Sequence, residues 1–361
     1  MKNLQKKTSG WFGGLGLRGK LVVIMLAVGL LPFLASALID QWQAANALQE
    51  RAEAQLESIR EVKKNQITGY LAERQGDMTV LANLVGSLRS EALRKLSAIE
   101  ATKIQALQRY FAKRKADAAV IANSLTTISA VQELNESFKE EGRRIGGSLW
   151  NGYKEKYSPW YTAFTKEHGY YDIFLISAEG DVLYTVKGES DLGQNLVNGG
   201  LRDSGLGRLF AKVMKEGDTA LEDYARYAPS NNEQAAFIGR PVRDESGRMI
   251  GIAAMQLSKE EINSIINQRE GLTDTFESYL VGDAENPTLH SDRTVKEGRI
   301  GDPHDTPDTK LALAGKRGML HKEGTTGEWE LSVYGPVEIP GLNWGLITNG
   351  RLSEVIVPKE E

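Results

Sequence analysis

At 361 residues the chain has room for two ordinary domains and additional helix. Its composition, 25% charged and 41% hydrophobic, is that of folded protein over most of the length, and a formal net charge of −4 supplies no basic field to hold nucleic acid, so no nucleic-acid partner is expected. There is no cysteine, which removes thiol catalysis, thiolate metal sites and disulfides together.

Residues 1–20 carry Lys2, Lys6, Lys7, Arg18 and Lys20 and no acid. The run 21–39 that follows, LVVIMLAVGLLPFLASALI, has no charged side chain. As a helix it spans about 28 Å, close to the hydrocarbon thickness of about 30 Å. Trp11 and Trp42 flank it at headgroup depth, and Pro32 is tolerated in a membrane helix. Positive residues stay inside, so 1–20 is read as a basic cytoplasmic segment, 21–39 as a single transmembrane helix, and everything from Asp40 as lying outside a bacterial inner membrane. Cleavage as a signal peptide at Ala35-Ser36-Ala37 is the rival reading and leaves the rest outside as well.

Residues 44–149 read as a helical stalk. Leu48, Ala52, Leu56, Ile59, Ile67, Leu71, Met78, Leu81 and Val85 form an apolar stripe with Glu, Lys, Arg and Gln between them. The segment repeats itself: Tyr70-Leu-Ala-Glu-Arg74-Gln-Gly-Asp77 reads onto Tyr110-Phe-Ala-Lys-Arg114-Lys-Ala-Asp117, and Val80-Leu-Ala-Asn83 onto Val120-Ile-Ala-Asn123, an offset of 40 residues. One unbroken helix is longer than a single module requires, so a kink or hairpin is expected near Gly86-Ser87.

From about residue 150 the period shortens. Asp172–Ser177 and 182–186 form a strand pair about a turn at 178–181, 206–214 is helical, 234–242 and 249–256 form a second hairpin, and 259–268 is a short helix. The plan recurs in 278–290, 329–337 and 344–348, with Phe237-Ile-Gly-Arg-Pro-Val242 echoed by Val333-Tyr-Gly-Pro-Val337. The fold class is therefore α+β: a transmembrane helix, a long stalk and two tandem antiparallel sheet modules, 150–270 and 271–356.

No catalytic pattern is present: no Gly-x-Ser-x-Gly, no phosphate loop and no His-Glu-x-x-His, so no enzyme activity, cofactor or metal is expected. The cluster Asp302-Pro-His304-Asp305-Thr-Pro-Asp308 reads as a solvated turn in preference to a metal site. A pocket for a polar metabolite needs apolar walls and a few fixed polar groups, and tyrosine supplies both. The first module concentrates Tyr153, Trp160, Tyr161, Tyr184, Tyr224, Tyr227 and Phe237 with Lys187 and Asp191 among them, and these nine are the candidate ligand-binding residues. The competing reading makes the same rings core packing.

Taken in order, Tyr170-Tyr-Asp-Ile-Phe-Leu-Ile, Gly180-Asp-Val-Leu-Tyr-Thr, Lys187-Gly-Glu-Ser-Asp-Leu-Gly-Gln-Asn-Leu196, Tyr227-Ala-Pro-Ser230, Ser278-Tyr-Leu-Val-Gly, Ala312-Leu-Ala-Gly-Lys and Gly341-Leu-Asn-Trp-Gly resemble the double-Cache (tandem PAS-like) sensing region of bacterial methyl-accepting chemotaxis proteins. The resemblance implies chemotactic signal transduction, a ligand in the membrane-distal module 150–270, a homodimer through the long helices, and transmission by small helix displacements. Related regions serve histidine kinases and nucleotide cyclases, and a stand-alone helical partner-interaction protein is a further alternative. The amino-acid-sensing branch has a Tyr, an Arg-x-Trp-Tyr and a later Asp around its ligand. Trp160-Tyr161 match and Tyr153 has the spacing, but Ser158 stands at the Arg, leaving Lys187 or Arg240 as substitutes. The family also continues into a second membrane helix and a cytoplasmic coiled coil, whereas this sequence stops at Glu361.

Overall fold

The computed structural model describes residues 14, 16–324 and 327–356, so Lys2, Lys6, Lys7 and Trp11 lie outside the described residues. The chain divides into two compact units, Met1–Leu84 and Val85–Glu361. Helix α1 (Leu17–Asn123) supplies all the regular structure described in the first. Its apolar run contains Pro32 and buries no residue, and among the described residues it is the one helix long and apolar enough to cross a membrane. Beyond it Leu48, Leu56, Ile67, Leu71 and Met78 are all exposed.

In the second unit the buried positions of α1 begin at Leu96 and recur every three or four residues through Ile104, Leu107, Phe111, Ala118 and Ile121. Gly86 and Ser87 are helical, so there is no hairpin there; α1 stops at Asn123. There the Ser124 hydroxyl accepts the Thr127 N–H and caps α2 (Leu125–Glu140). Helix α3 (Ser148–His168) has no cap from Gly147; instead the Glu141 carboxylate accepts the Leu149 and Trp150 amides at 2.9 and 3.2 Å. It ends on Gly169, whose φ of 69° is the left-handed closure glycine takes most readily.

The first module is an antiparallel sheet of β1 (Tyr170–Ser177), β2 (Val182–Thr185), β3 (Ala220–Tyr227), β4 (Glu233–Arg243) and β5 (Met249–Leu257), with α4 (Gly205–Glu216) between β2 and β3. After α5 (Lys259–Ile266) the second module repeats it with β6 (Glu277–Gly282), β7 (Thr288–Leu289), β8 (Gly318–Glu323), β9 (Trp329–Ile339) and β10 (Leu342–Arg351). Here α6 (Pro307–Leu313) takes the place of α4, and α7 (Ser353–Ile356) follows. Strand orders β2-β1-β5-β4-β3 and β7-β6-β10-β9-β8 are the same order twice, so the architecture is α+β with two tandem PAS-like modules.

Alternation along the strands sorts the core into two faces. Ile173, Leu175, Ile238, Ala253 and Met255 pack with α1–α3, while Phe174, Ile176, Phe237, Ile252 and Ala254 pack with α4. Burying each large side chain stabilises the module by about 1.5–3 kcal/mol. Where α5 ends, the Lys103 ammonium from α1 donates to the carbonyls of Ile266 and Gln268 at 2.6 and 2.8 Å. Burial lowers its pKa to about 8.

Most of the 302–308 segment is exposed, as a solvated turn would be, but its last residue is not. Asp308 is fully buried and accepts hydrogen bonds from Thr306 beside it and from Lys322 and Ser332, which its own stretch of sequence does not supply. His304 lies 3.2 Å from the Tyr279 hydroxyl, and burial lowers its pKa to about 4.

Candidate functional site

The nine predicted residues do not form one cluster. Tyr153, Trp160 and Tyr161 line up on α3, where Trp160 meets Tyr161 edge to face at 4.8 Å and the Tyr161 hydroxyl donates to Thr127 at 3.0 Å. Tyr184 packs with them from β2 and donates to Ser158 at 3.2 Å, so the serine at the family's arginine position is a hydrogen-bond acceptor. On the α4 face the buried Tyr227 and Phe237 meet edge to face at 5.0 Å, and the Tyr227 hydroxyl donates to Asp191 at 2.8 Å. Lys187 is exposed, its ammonium 4.8 Å from the Tyr171 ring centre. Tyr224 lies elsewhere, stacked on Trp344 of the second module at 5.9 Å. Arg240 is taken up by Asp218 and Thr219.

The groups that converge with Asp191 and Tyr227 are mostly ones the sequence reading passed over. Asp172 follows the last residue of α3 by four positions and sits on the Phe174 face of β1, fully buried. Its Oδ1 accepts the amides of Ile173, Val186 and Lys187 at 2.7, 2.8 and 3.1 Å. Glu189 accepts the Tyr171 hydroxyl at 2.8 Å and the Ser230 hydroxyl at 2.9 Å, and Gln256, paired with Asp172 across β1 and β5, reaches Ser230 at 3.3 Å.

Two oxygens of this group are left over: Asp172 Oδ2 and Asp191 Oδ1 are buried with no hydrogen-bond partner among the described residues. A buried carboxylate oxygen without a donor costs the desolvation of its charge. Burial, with the charge of Asp191 adding to it, raises the Asp172 pKa to about 7 against the pull of its three backbone donors. Asp191 is raised by burial and by Glu189, offset by the Tyr227 hydroxyl. No three His, Asp or Glu side chains among the described residues are grouped as a metal ion requires.

The second module has an acid at the corresponding point, and there it meets a cation. Glu277 pairs with Asn349 in β10 as Asp172 pairs with Gln256 in β5. It accepts the Thr294 and Val295 amides at 2.9 and 2.8 Å, as Asp172 accepts those of Val186 and Lys187. Its other oxygen is not left over: the Arg293 guanidinium fills it, lying 4.2 Å from the Tyr279 ring centre. Thr185 occupies the position of Arg293, one residue before the donor amides, and Phe174 that of Tyr279. One frame carries its own cation; the other has the anion alone.

Among solved structures the chain resembles the ligand-binding domain of the Pseudomonas aeruginosa PAO1 amino acid chemoreceptor PctB in complex with L-Gln, at 14% identity and TM-score 0.48 over 73% of this chain and 93% of that one. It resembles that of the Pseudomonas fluorescens chemoreceptor CtaA in complex with L-serine at 10% and 0.46, over 74% and 100%. For the sensory domain of the Campylobacter jejuni chemoreceptor Tlp3 the values are 10% and 0.49, over 75% and 98%. No protein-family model and no curated protein matches the chain. What the chain has is two five-stranded antiparallel sheets of the same strand order and a long N-terminal helix with an apolar run.

Proposed function

We propose that this chain is the outward-facing sensing region of a bacterial transmembrane receptor of the chemotaxis type, and that its first, membrane-distal module binds a small metabolite through an ammonium or guanidinium group. The reading rests on one observation: Asp172 holds the position of Glu277 and lacks the cation that Arg293 gives Glu277. A ligand cation seated against Asp172 and Asp191 satisfies both leftover oxygens with charge-assisted hydrogen bonds. The aromatic residues Tyr227 and Phe237 form its apolar wall, and Trp160, Tyr161 and Tyr184 brace α3 and β2 beside it. The apolar helix anchors the chain, with the basic N-terminus cytoplasmic. The uncovered side chains Leu56, Ile67, Leu71 and Met78 support pairing of two chains along the first unit of α1, through which ligand-driven helix shifts pass.

Thermal unfolding of the full chain in phospholipid nanodiscs tests this with amino acids, diamines and guanidino compounds against neutral and purely anionic analogues. A cationic ligand at a hundred times its Kd is expected to stabilise the protein by about 2.7 kcal/mol. Stabilisation by carboxylates or sugars alone refutes the cation site.

A further inference from the structure

The two modules meet at a buried contact that the ligand site does not use. A register shift in β3 between Glu222 and Ala225 takes Asp223 and Tyr224 out of regular pairing with β4, in the way a bulge re-aims side chains. Both reach the second module. The Asp223 carboxylate accepts the Trp344 indole N–H at 2.9 and 3.0 Å through its two oxygens, and Asp223 Oδ1 lies 3.1 Å from His290 Nε2. The other ring nitrogen, Nδ1, lies 3.2 Å from the Thr288 carbonyl. His290 and Trp344 are buried, and Tyr224 and Trp344 flank the imidazole at 5.5 and 5.3 Å. Gly282 floors the site: a Cβ there would lie 2.3 Å from His290 Nε2.

Each ring nitrogen thus faces an acceptor, one a carboxylate and one a carbonyl. A neutral imidazole has a single N–H and turns a lone pair on one of them; only the imidazolium donates to both. Among the described residues, the ionisable side chains in contact with the ring are an acid and a phenol. From β3 come Asp223 and the Tyr224 phenol, whose ionisation is opposed first by burial and then by Tyr110 of α1, Asp223, Glu260 of α5 and Asp292; Trp344 of β10 and Gly282 of β6 do not titrate.

We infer that His290 is a proton-binding site and that the Asp223–His290–Trp344 contact is a latch by which the acidity outside the cell sets how firmly the two modules are joined, a second stimulus separate from the ligand. Histidine is the side chain suited to change charge between about pH 5 and 8. Protonation completes the contact, and loss of the proton leaves a lone pair against an acceptor and frees the modules to shift.

The test uses the full chain in nanodiscs, with nitrogen NMR of the histidine rings and of the Trp344 indole N–H. The His290 signals are assigned by their loss in His290→Gln and the indole signal by its loss in Trp344→Phe. The ring is followed from about pH 5 to about pH 8, two ring protons being expected with the contact closed and one with it open. Trp344 N–H exchange, corrected for its intrinsic rate, is expected to quicken about tenfold over that range. Asp223→Asn and Gly282→Ala, which remove the charge and displace the ring, flatten the response. A ring that keeps one protonation state throughout, or a Trp344 response that persists in Asp223→Asn, overturns the latch.

Discussion

Asp172→Asn is expected to abolish cation binding, by about a hundredfold or more, and at the same time to stabilise the empty protein at about pH 8. The asparagine oxygen still accepts the amides of Ile173, Val186 and Lys187, so the β1–β2 corner keeps its shape. What is lost is the charge. Folding raises the Asp172 pKa from 3.8 to about 7, so the folded state binds this proton more tightly than the unfolded one. Its contribution is therefore full below about pH 4 and declines as pH rises towards 7, by up to about 4 kcal/mol for a shift of that size. A bound cation reverses the sign: the ligand prefers ionised Asp172, so affinity climbs with pH up to about 7 and binding below it releases a proton. Titration calorimetry in buffers of different ionisation heat measures that proton, and denaturant melts at about pH 4 and 8 measure the stability arm. Undiminished binding by Asp172→Asn removes this carboxylate from the site.

The second large effect separates the two copies of the helical repeat. Arg114 is 2% exposed, donates to the His168 carbonyl, lies 3.3 Å from Glu261, and its guanidinium sits 4.8 and 4.6 Å from the Tyr110 and Tyr170 ring centres. Arg74, the same residue one repeat earlier, has an exposed partner in Asp77 at 2.8 Å. Arg114→Ala takes the buried guanidinium away from the His168 carbonyl and from between Glu261 and Asp117, and is expected to destabilise the second unit by about 3–5 kcal/mol. Arg74→Ala is expected to change stability by less than about 0.5 kcal/mol. Denaturation followed by tryptophan fluorescence reads both. A comparable loss at Arg74 would mean that the first copy is covered as well, by the partner chain of the proposed dimer.

That contrast marks the limit of what the sequence disclosed. Helical period, the repeat and the two hairpins of each module are visible because apolar spacing and turn residues are local. Whether Tyr-x3-Arg-x2-Asp faces solvent or a sheet is decided by strands that lie far away in the chain. Strand β3 went unread because Glu222, Asp223 and Arg226 interrupt its alternation, and β8 because Gly318 and His321-Lys-Glu323 do. The aromatic count merges two faces of one sheet, since a ring does not say which way its strand turns it. Tyr224 was drawn into the site although a register shift sends it to the module junction. The signal that was available is Asp172, a lone acid opening the otherwise apolar run Asp172-Ile-Phe-Leu-Ile, where a charge is costly unless something meets it.

Lys103 carries a mechanical corollary. Its ammonium rivets the final carbonyl of α5 and that of Gln268, the start of the connector, to the rod formed by α1. The connector therefore has little slack there: any displacement that reached it would load those two bonds, and α1 with them. Trimming that side chain to methionine would leave both modules folded and put play into the coupling.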